Sequence, residues 1–402
     1  MHQDLLLRNV RPMAQSAVDI LIRAGRIAEL RPALQTPTSE TDIETIQGEN
    51  KIVLPGLVEA HTHLDKSLLG LPWYRNEVGP RLLDKIENER RVKHQLGIEP
   101  QRQSERQSIL SVAQGSTHIR SHVDVDTQDG LAGIEGVLAT REKLKDLIDI
   151  EIVTFPQSGL LIRPGTLELM DEALKMGANV VGGIDPAGMD RDPKGHLDAV
   201  FALAEKHAKP VDIHLHEAGE LGGFSMELII ERSKALAMHN KVTISHAFCL
   251  GMADHNYVAQ LVEQLAKAQI HIMTTGPASR PAPPVKMLRD AGVLVCSGSD
   301  GIRDTWGPYG NADMLERAMF IGLRNNFRRD DEVEIGLDVC TYGGAQVMHL
   351  ADYGLDTGCW ADLVLVEGET LADAVVSHAN RKLVLKRGKI VARDGHCLQD
   401  MP

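Results

Sequence analysis

Residues 52–66 read IVLPGLVEAHTHLDK. The apolar part predicts a strand over 52–61, and its end carries His61 and His63. Residues i and i+2 of a strand point the same way, so both imidazoles project to one side at the strand's C-terminal end. Seven more strand-length apolar runs follow, at 116–123, 150–156, 179–185, 210–216, 241–248, 270–275 and 293–300. Helical periodicity fills most of the gaps, at 129–147, 166–176, 194–206, 224–238 and 254–267. Strands alternating with helices predict an α/β fold with a parallel sheet, and eight of them predict a (β/α)8 TIM-like barrel. An open doubly wound sheet is the alternative, but no GxGxxG follows the first strand.

The two ends of the chain have a different rhythm. DLLLRNV, AVDILI, GRIAEL and IETIQG near the start are short strands with Gly or Asn turns, as are ADLVLVEG, DAVVSH and KLVLKRGKIVARDG near the end. The expected organisation is a catalytic barrel over 55–350 and a small β-sandwich domain built from 1–54 plus 351–402. Composition agrees with a large core: 43% of residues are hydrophobic and 25% charged, which disfavours disorder. Aromatics are only 3%, so aliphatic side chains must fill that core. The net charge of -13 argues against a nucleic-acid partner, whose phosphates demand clustered Lys and Arg. No apolar run reaches the length of roughly 18 residues that a membrane span needs, and the start does not read as a secretory signal. The five cysteines are scattered and form no CxxC, so a reducing cytoplasm is the expected compartment.

Chemistry-bearing residues gather where strands end. His61 and His63 close the first strand, and two imidazoles on one side are half of a divalent-metal site. HxH alone is a weak signal in a chain with 17 histidines. The fifth strand ends in Asp212-Ile213-His214-Leu215-His216-Glu217, the sixth in Ser245-His246-Ala247, and the eighth in Ser299-Asp300-Gly301. A lone His or Asp at a loop start is usually a satisfied polar group or a cap. Four strand ends each carrying a metal-competent residue, at the C-terminal face where barrels place their chemistry, are not explained by four separate structural roles.

These motifs, HTH, HxHE, SHA and SGSD, resemble the amidohydrolase superfamily, and its cytosine deaminase branch in particular. VLPGLVEAHTHLDKS resembles the superfamily's opening signature, and CWADLVLVEG with RGKIVARDG its closing hairpins. HLDK, FPQSG at 155–159 and DTWGPYGNADML after Asp300 resemble the branch. The resemblance implies that His61, His63, His214 and Asp300 bind one divalent transition metal, zinc or iron. It implies that Glu217 shuttles protons, that His246 acts on the activated water or its oxyanion, and that Gln157 reads an amide-like ring edge. No lysine ends the fourth strand, which reads Gly183-Ile184-Asp185-Pro186. That departs from two-metal members of the superfamily and favours a single ion. Two further departures surround the substrate: Gly301 stands where the branch carries an acid, and Asp185 adds a carboxylate at the barrel mouth.

The expected function is hydrolytic deamination of a small amino-substituted nitrogen heterocycle, with cytosine-like pyrimidines first. Glu217, His246 and Asp300 are the expected catalytic residues, and Gln157, Trp306, Asp185 and Gly301 the expected substrate contacts. Asp300 takes a proton from water, Glu217 protonates the ring nitrogen, and His246 stabilises charge on oxygen. The alternative is a related aminohydrolase for isoguanine, a pterin or an amino- or alkylamino-triazine, favoured by Gly301 and Asp185. A silent barrel that only binds ligands is the rival from another class, and it conflicts with a full set of ligands and proton-transfer groups. The partner is a small heterocyclic substrate, and the resemblance implies a homo-oligomer. Asp65–Lys66 reads as a structural ion pair, His122 and Asp124 as residues orienting the ligands, and 84–93 as a solvated helix face.

Overall fold

The computed structural model describes residues 4–33 and 43–402; residues 1–3 and 34–42 of the expected terminal unit lie outside the described residues. Eight strands form the barrel sheet: β1 (Leu57–Thr62), β2 (Ser116–Asp124), β3 (Asp149–Phe155), β4 (Val180–Ile184), β5 (Val211–His214), β6 (Val242–Ser245), β7 (His271–Thr274) and β8 (Val295–Ser297). All seven neighbouring pairs are parallel. β1 and the end of β8 meet through a parallel bridge between Thr62 and Asp300, where the Asp300 N–H donates to the His61 carbonyl at 2.9 Å. The barrel is therefore nearly closed.

Helices α1 (Leu82–Val92) and α2 (Pro100–Ala113) both lie between β1 and β2. Six more then follow β2 to β7 in turn: α3 (Ala132–Lys143), α4 (Thr166–Met176), α5 (Pro193–His207), α6 (Gly219–Ala235), α7 (His255–Ala268) and α8 (Val285–Asp290). The helices pack on the sheet through one aliphatic core that includes Ile119, Val137, Ile152, Val200, Ile213 and Leu261, all buried. Strands covered on both faces read as near-continuous β-branched and aliphatic runs, which is why the strand runs stood out in the sequence.

One expected strand is divided. Residues 52–61 are not continuous: Ile52–Pro55 pairs antiparallel with Leu363–Val366 in a second sheet, and only Leu57–Thr62 enters the barrel. Pro55 lacks an N–H for a central ladder. The break at Gly56 is held by its N–H on the Asp362 carbonyl at 2.7 Å and by Tyr353 Oη donating to the Gly56 carbonyl at 2.7 Å. The second sheet has nine strands drawn from both chain ends. Its spine runs His396–Cys397, Lys389–Arg393, Arg381–Lys386, Leu363–Val366, Ile52–Pro55, Leu5–Pro12, Val18–Arg23 and Arg26–Pro32, with Glu44–Gln47 pairing parallel to Leu5–Pro12. Lys386 joins the sheet to the barrel: its buried Nζ lies 2.7 Å from Asp362 of the sheet and 2.7 Å from Asp149 of β3.

The seam between β1 and β8 positions the site. Glu59, fully buried in β1, accepts from the Ser299 N–H at 2.7 Å and from Ser299 Oγ at 2.6 Å. The backbones approach so closely that a β-carbon at Gly298 would stand 2.3 Å from the His61 carbonyl oxygen. Gly298→Ala is expected to cost about 1–3 kcal/mol through overpacking, read as a lowered thermal midpoint. An unchanged midpoint would contradict this close approach.

Candidate active site

β1 places His61 in the barrel wall and His63 just beyond it; His214 ends β5, and Asp300 follows β8. Ligand atoms of His61, His63, His214 and Asp300 all lie within 4.8 Å of one another. Asp300 Oδ1 is 3.1 Å from His63 Nε2 and 3.7 Å from His61 Nε2. The His61 Nε2 and both ring nitrogens of His214 are buried without a hydrogen-bond partner. Orphaned imidazole nitrogens facing one carboxylate are costly unless a cation satisfies them, so the donor set fits a divalent ion.

The far nitrogens are tied down. His63 Nδ1 contacts the His122 carbonyl at 2.9 Å, and His61 Nδ1 contacts Ser245 Oγ at 3.1 Å. Ser245 Oγ donates to Asp212 at 2.6 Å, and Asp212 meets Arg120 at 3.1 Å. Such outer partners set the tautomer and ring orientation of ligating histidines. Burial holds the His61, His63 and His214 imidazoles below their usual pKa and hence neutral, the ligating form. Burial opposes ionisation of Asp300, but the facing His61 and His63 imidazoles outweigh it and hold the carboxyl well below the usual range.

The proton-transfer candidates sit beside this cluster. The His246 ring is buried, 5.0 Å from His61 and 5.0 Å from His214 by centroid, and its Nε2 has no partner. Burial keeps it neutral. Glu217 Oε1 accepts from the N–H groups of Ala187 (2.9 Å) and Gly188 (2.7 Å), and Oε2 accepts from Ser225 Oγ. Burial pushes the Glu217 carboxyl up despite those donors. Asp185 is committed to the turn after β5: its carboxylate accepts from the His216 N–H at 2.6 Å and the Glu217 N–H at 3.2 Å, and meets His216 Nδ1 at 2.8 Å. Asp185, His246 and Asp300 all have positive φ, at 35°, 70° and 64°. Non-glycine residues hold that conformation at a steric cost.

Two adjoining cavities open at this face. A cavity of about 240 Å³ is lined by His63, His214, Asp300, Gln157 and Asp304. A cleft of about 630 Å³ is lined by Glu217, His216, Leu82, Met189 and Phe248. Trp306 and Lys85 border both. The Trp306 indole N–H is buried without an acceptor. Trp73 stands apart, 68% exposed.

Several sequence expectations change here. Lys66 does not pair with Asp65 by hydrogen bond; its Nζ binds Asp124 at 3.0 Å and also donates to Gln157 Oε1. Gln157 Nε2 donates to Glu89 at 2.8 Å and to Asp124 at 3.2 Å, so both its N–H groups are used. The stretch 84–93 is not a solvated face: Asn88, Glu89 and Lys93 are buried, and α1 turns Glu89 toward Gln157 and Lys66. His122 meets the cluster by its backbone carbonyl on His63, while its ring nitrogens have no hydrogen-bond partner, and Asp124 binds Lys66 and Gln157. Glu89, Ser225, Lys85, Asp304 and the Ser245–Asp212–Arg120 chain went unread in the sequence. Ser245, Asp212 and Asp304 lay inside sequence motifs, beside His246, ahead of His214 and at the head of DTWGPYGNADML, that could have flagged them.

Comparison with known proteins agrees with this geometry. A sequence model of the amidohydrolase family matches residues 44–392. N-isopropylammelide isopropyl amidohydrolase of Pseudomonas sp. (strain ADP) is 30% identical over 97% of this chain and 98% of its own. The crystal structure of N-isopropylammelide isopropylaminohydrolase from Burkholderia multivorans ATCC 17616 superposes with a TM-score of 0.94 at 47% identity, covering 98% of this chain and 100% of that one. That of 5-methylcytosine deaminase from Klebsiella pneumoniae, liganded with 5-fluorocytosine, gives 0.86 at 27% identity, with 99% of each chain covered.

Proposed function

The chain belongs to the amidohydrolase family and is a hydrolase acting on C–N bonds, and from that premise we propose that it removes ammonia or an alkylamine from an oxo-substituted triazine. The observation that carries this reading is the pairing of cavities. His63, His214 and Asp300 line the small one, Glu217 lines the wide one, and Trp306 stands at their border. The scissile carbon belongs where the two meet, with the ring in the small cavity and the amine substituent in the cleft. The cleft's apolar walls, Leu82, Met189 and Phe248, suit an alkyl group. Both N-isopropylammelide hydrolases among the relatives support the same substrate class. The 5-methylcytosine deaminase relative supports cytosine-like pyrimidines as the second reading.

His61, His63, His214 and Asp300 are the residues proposed to hold one divalent ion, zinc or iron, which would lower the pKa of a bound water toward about 7. Asp300 Oδ, open to the small cavity, would hold the proton taken from the attacking water. Glu217, its pKa raised by burial, gives its proton to the ring nitrogen beside the attacked carbon, the proton held on Asp300 passes to the amine as the C–N bond breaks, and Glu217 recovers a proton from the new hydroxyl as it becomes the ring oxo group. His246, neutral and with Nε2 unpartnered, donates to the developing oxyanion. Asp185 holds His216 and Glu217 in place. Gln157 has spent both N–H groups, so only the second lone pair of Oε1 remains, which suits a ring N–H rather than a ring carbonyl. Trp306, which lines both cavities, is placed to lie against the ring. The division into a catalytic barrel over 55–350 and a terminal β-sandwich is also proposed, supported by the separate apolar cluster around Leu7, Ile20, Ile22, Leu363 and Leu385.

An amine-release screen across amino-pyrimidines, purines, pterins and triazines tests the reading, with alkylamino-oxo-triazines expected to lead. Turnover of cytosine or pterins alone would overturn the triazine assignment. Glu217→Gln is expected to lower kcat by about 10²–10⁴-fold with bound metal unchanged. A kcat within a few fold of the parent would remove Glu217 from proton transfer.

A further inference from the structure

Gly301 follows the ligand Asp300 directly, yet the space a side chain would take there is full. A β-carbon at Gly301 would lie 1.9 Å from Asp304 Oδ2 and 2.8 Å from its Cγ. Asp304 is fixed in that place. Its Oδ1 accepts from the N–H groups of Trp306 (2.8 Å) and Gly307 (3.0 Å), while no described residue donates to Oδ2. The residue is 7% exposed, and what exposure it has lines the small cavity with His63, Lys66 and Asp300.

We propose that Asp304 is a specificity-determining residue, whose Oδ2 reads the edge of the substrate ring from the position that a side chain at 301 would otherwise occupy. An acid absent at 301 in sequence is restored there in space by a residue three positions on. Oδ2 has no donor from the described residues and faces the cavity, so a ring N–H arriving from the substrate meets a free acceptor there. Burial and the nearby Glu89 push the Asp304 carboxyl up to about 7, so near neutral pH it can accept from a ring N–H or, protonated, donate to a ring nitrogen. The proposal rests on the aminohydrolase reading above.

Asparagine separates recognition from the turn that Asp304 also caps. Asp304→Asn retains the Oδ1 acceptor for Trp306 and Gly307 and changes only the group facing the cavity. It is expected to raise KM about tenfold or more with a smaller change in kcat, and to reorder preference among rings that differ in the donor at that edge. Gly301→Ala drives Asp304 from its place and is expected to raise KM similarly. In an Asp304→Ala background the same glycine change meets empty space, so the two effects are expected not to add. G301D/D304A, which moves the acid back to 301, is expected to recover part of the lost affinity. Circular dichroism and metal content confirm that each variant is folded and loaded. Parental KM and substrate order in Asp304→Asn, or additive effects of Gly301→Ala and Asp304→Ala, would overturn the proposal. A parent that releases no amine from any ring would instead overturn the aminohydrolase reading, so the two failures are distinguishable.

Discussion

Asp300→Ala is expected to abolish amine release, by at least about 10³-fold in kcat/KM, and to leave the purified protein short of metal. Asp300 is the one charged member of the ligand set, and its carboxylate already lies 3.1 Å from His63 Nε2. Without it, three neutral imidazoles face one another with no counter-charge. Loss of an outer partner of a ligand typically costs about 10–100-fold in metal affinity, and loss of the anionic ligand itself should exceed that. The parent should gain thermal stability on adding metal, because an ion that binds only the folded state shifts the equilibrium by mass action. The variant should lose that gain. Retained activity with retained metal would show that the ion sits elsewhere.

Arg120→Met should be the most damaging single change to stability, about 3–5 kcal/mol. Arg120 crosses the barrel interior from β2, with Nε 2.5 Å from Glu151 of β3 and Nη1 3.1 Å from Asp212 of β5. Asp212 is wholly buried, and removing the guanidinium strands its charge. The sign of the pH dependence follows. Burial already raises the Asp212 pKa, and Arg120 opposes that rise. In the variant the folded pKa climbs further, so the folded state binds more protons than the unfolded state above the ordinary carboxylate range, and stability falls as pH rises. The deficit relative to the parent should be larger near about pH 8 than near about pH 5, read from urea midpoints. A deficit that grows toward acid would contradict this account. Asp212 also holds Ser245 against His61, so reduced metal affinity should accompany the loss.

The barrel and the gathering of His61, His63, His214 and Asp300 were legible because their signals are local. A strand that ends in His61-Thr62-His63 displays two imidazoles on one side whatever surrounds it, and aliphatic runs of strand length need no partner to be recognised. What failed depended on residues far away in sequence. Residues 52–61 read as one strand because both halves are apolar; Leu363–Val366 on one side and Leu5–Pro12 on the other claim the first half for another sheet. Residues 84–93 read as a solvated face because charge normally means water, whereas Lys66 and Gln157, distant in the chain, receive Glu89. Lys66 took Asp124 over its neighbour Asp65 for the same reason. The role of Gly301 could not be read at all without seeing Asp304 fill its place.

The central claim is that one ion held by His61, His63, His214 and Asp300 makes this chain an aminohydrolase of a small nitrogen ring. The most direct measurement is amine release from an alkylamino-oxo-triazine by protein stripped with a chelator and titrated with zinc or ferrous iron. The account predicts activity that rises from background in proportion to bound metal and saturates at one ion per chain, and that stays at background in Asp300→Ala at any metal concentration. Full turnover by the stripped protein, or saturation only at a second ion, would contradict it.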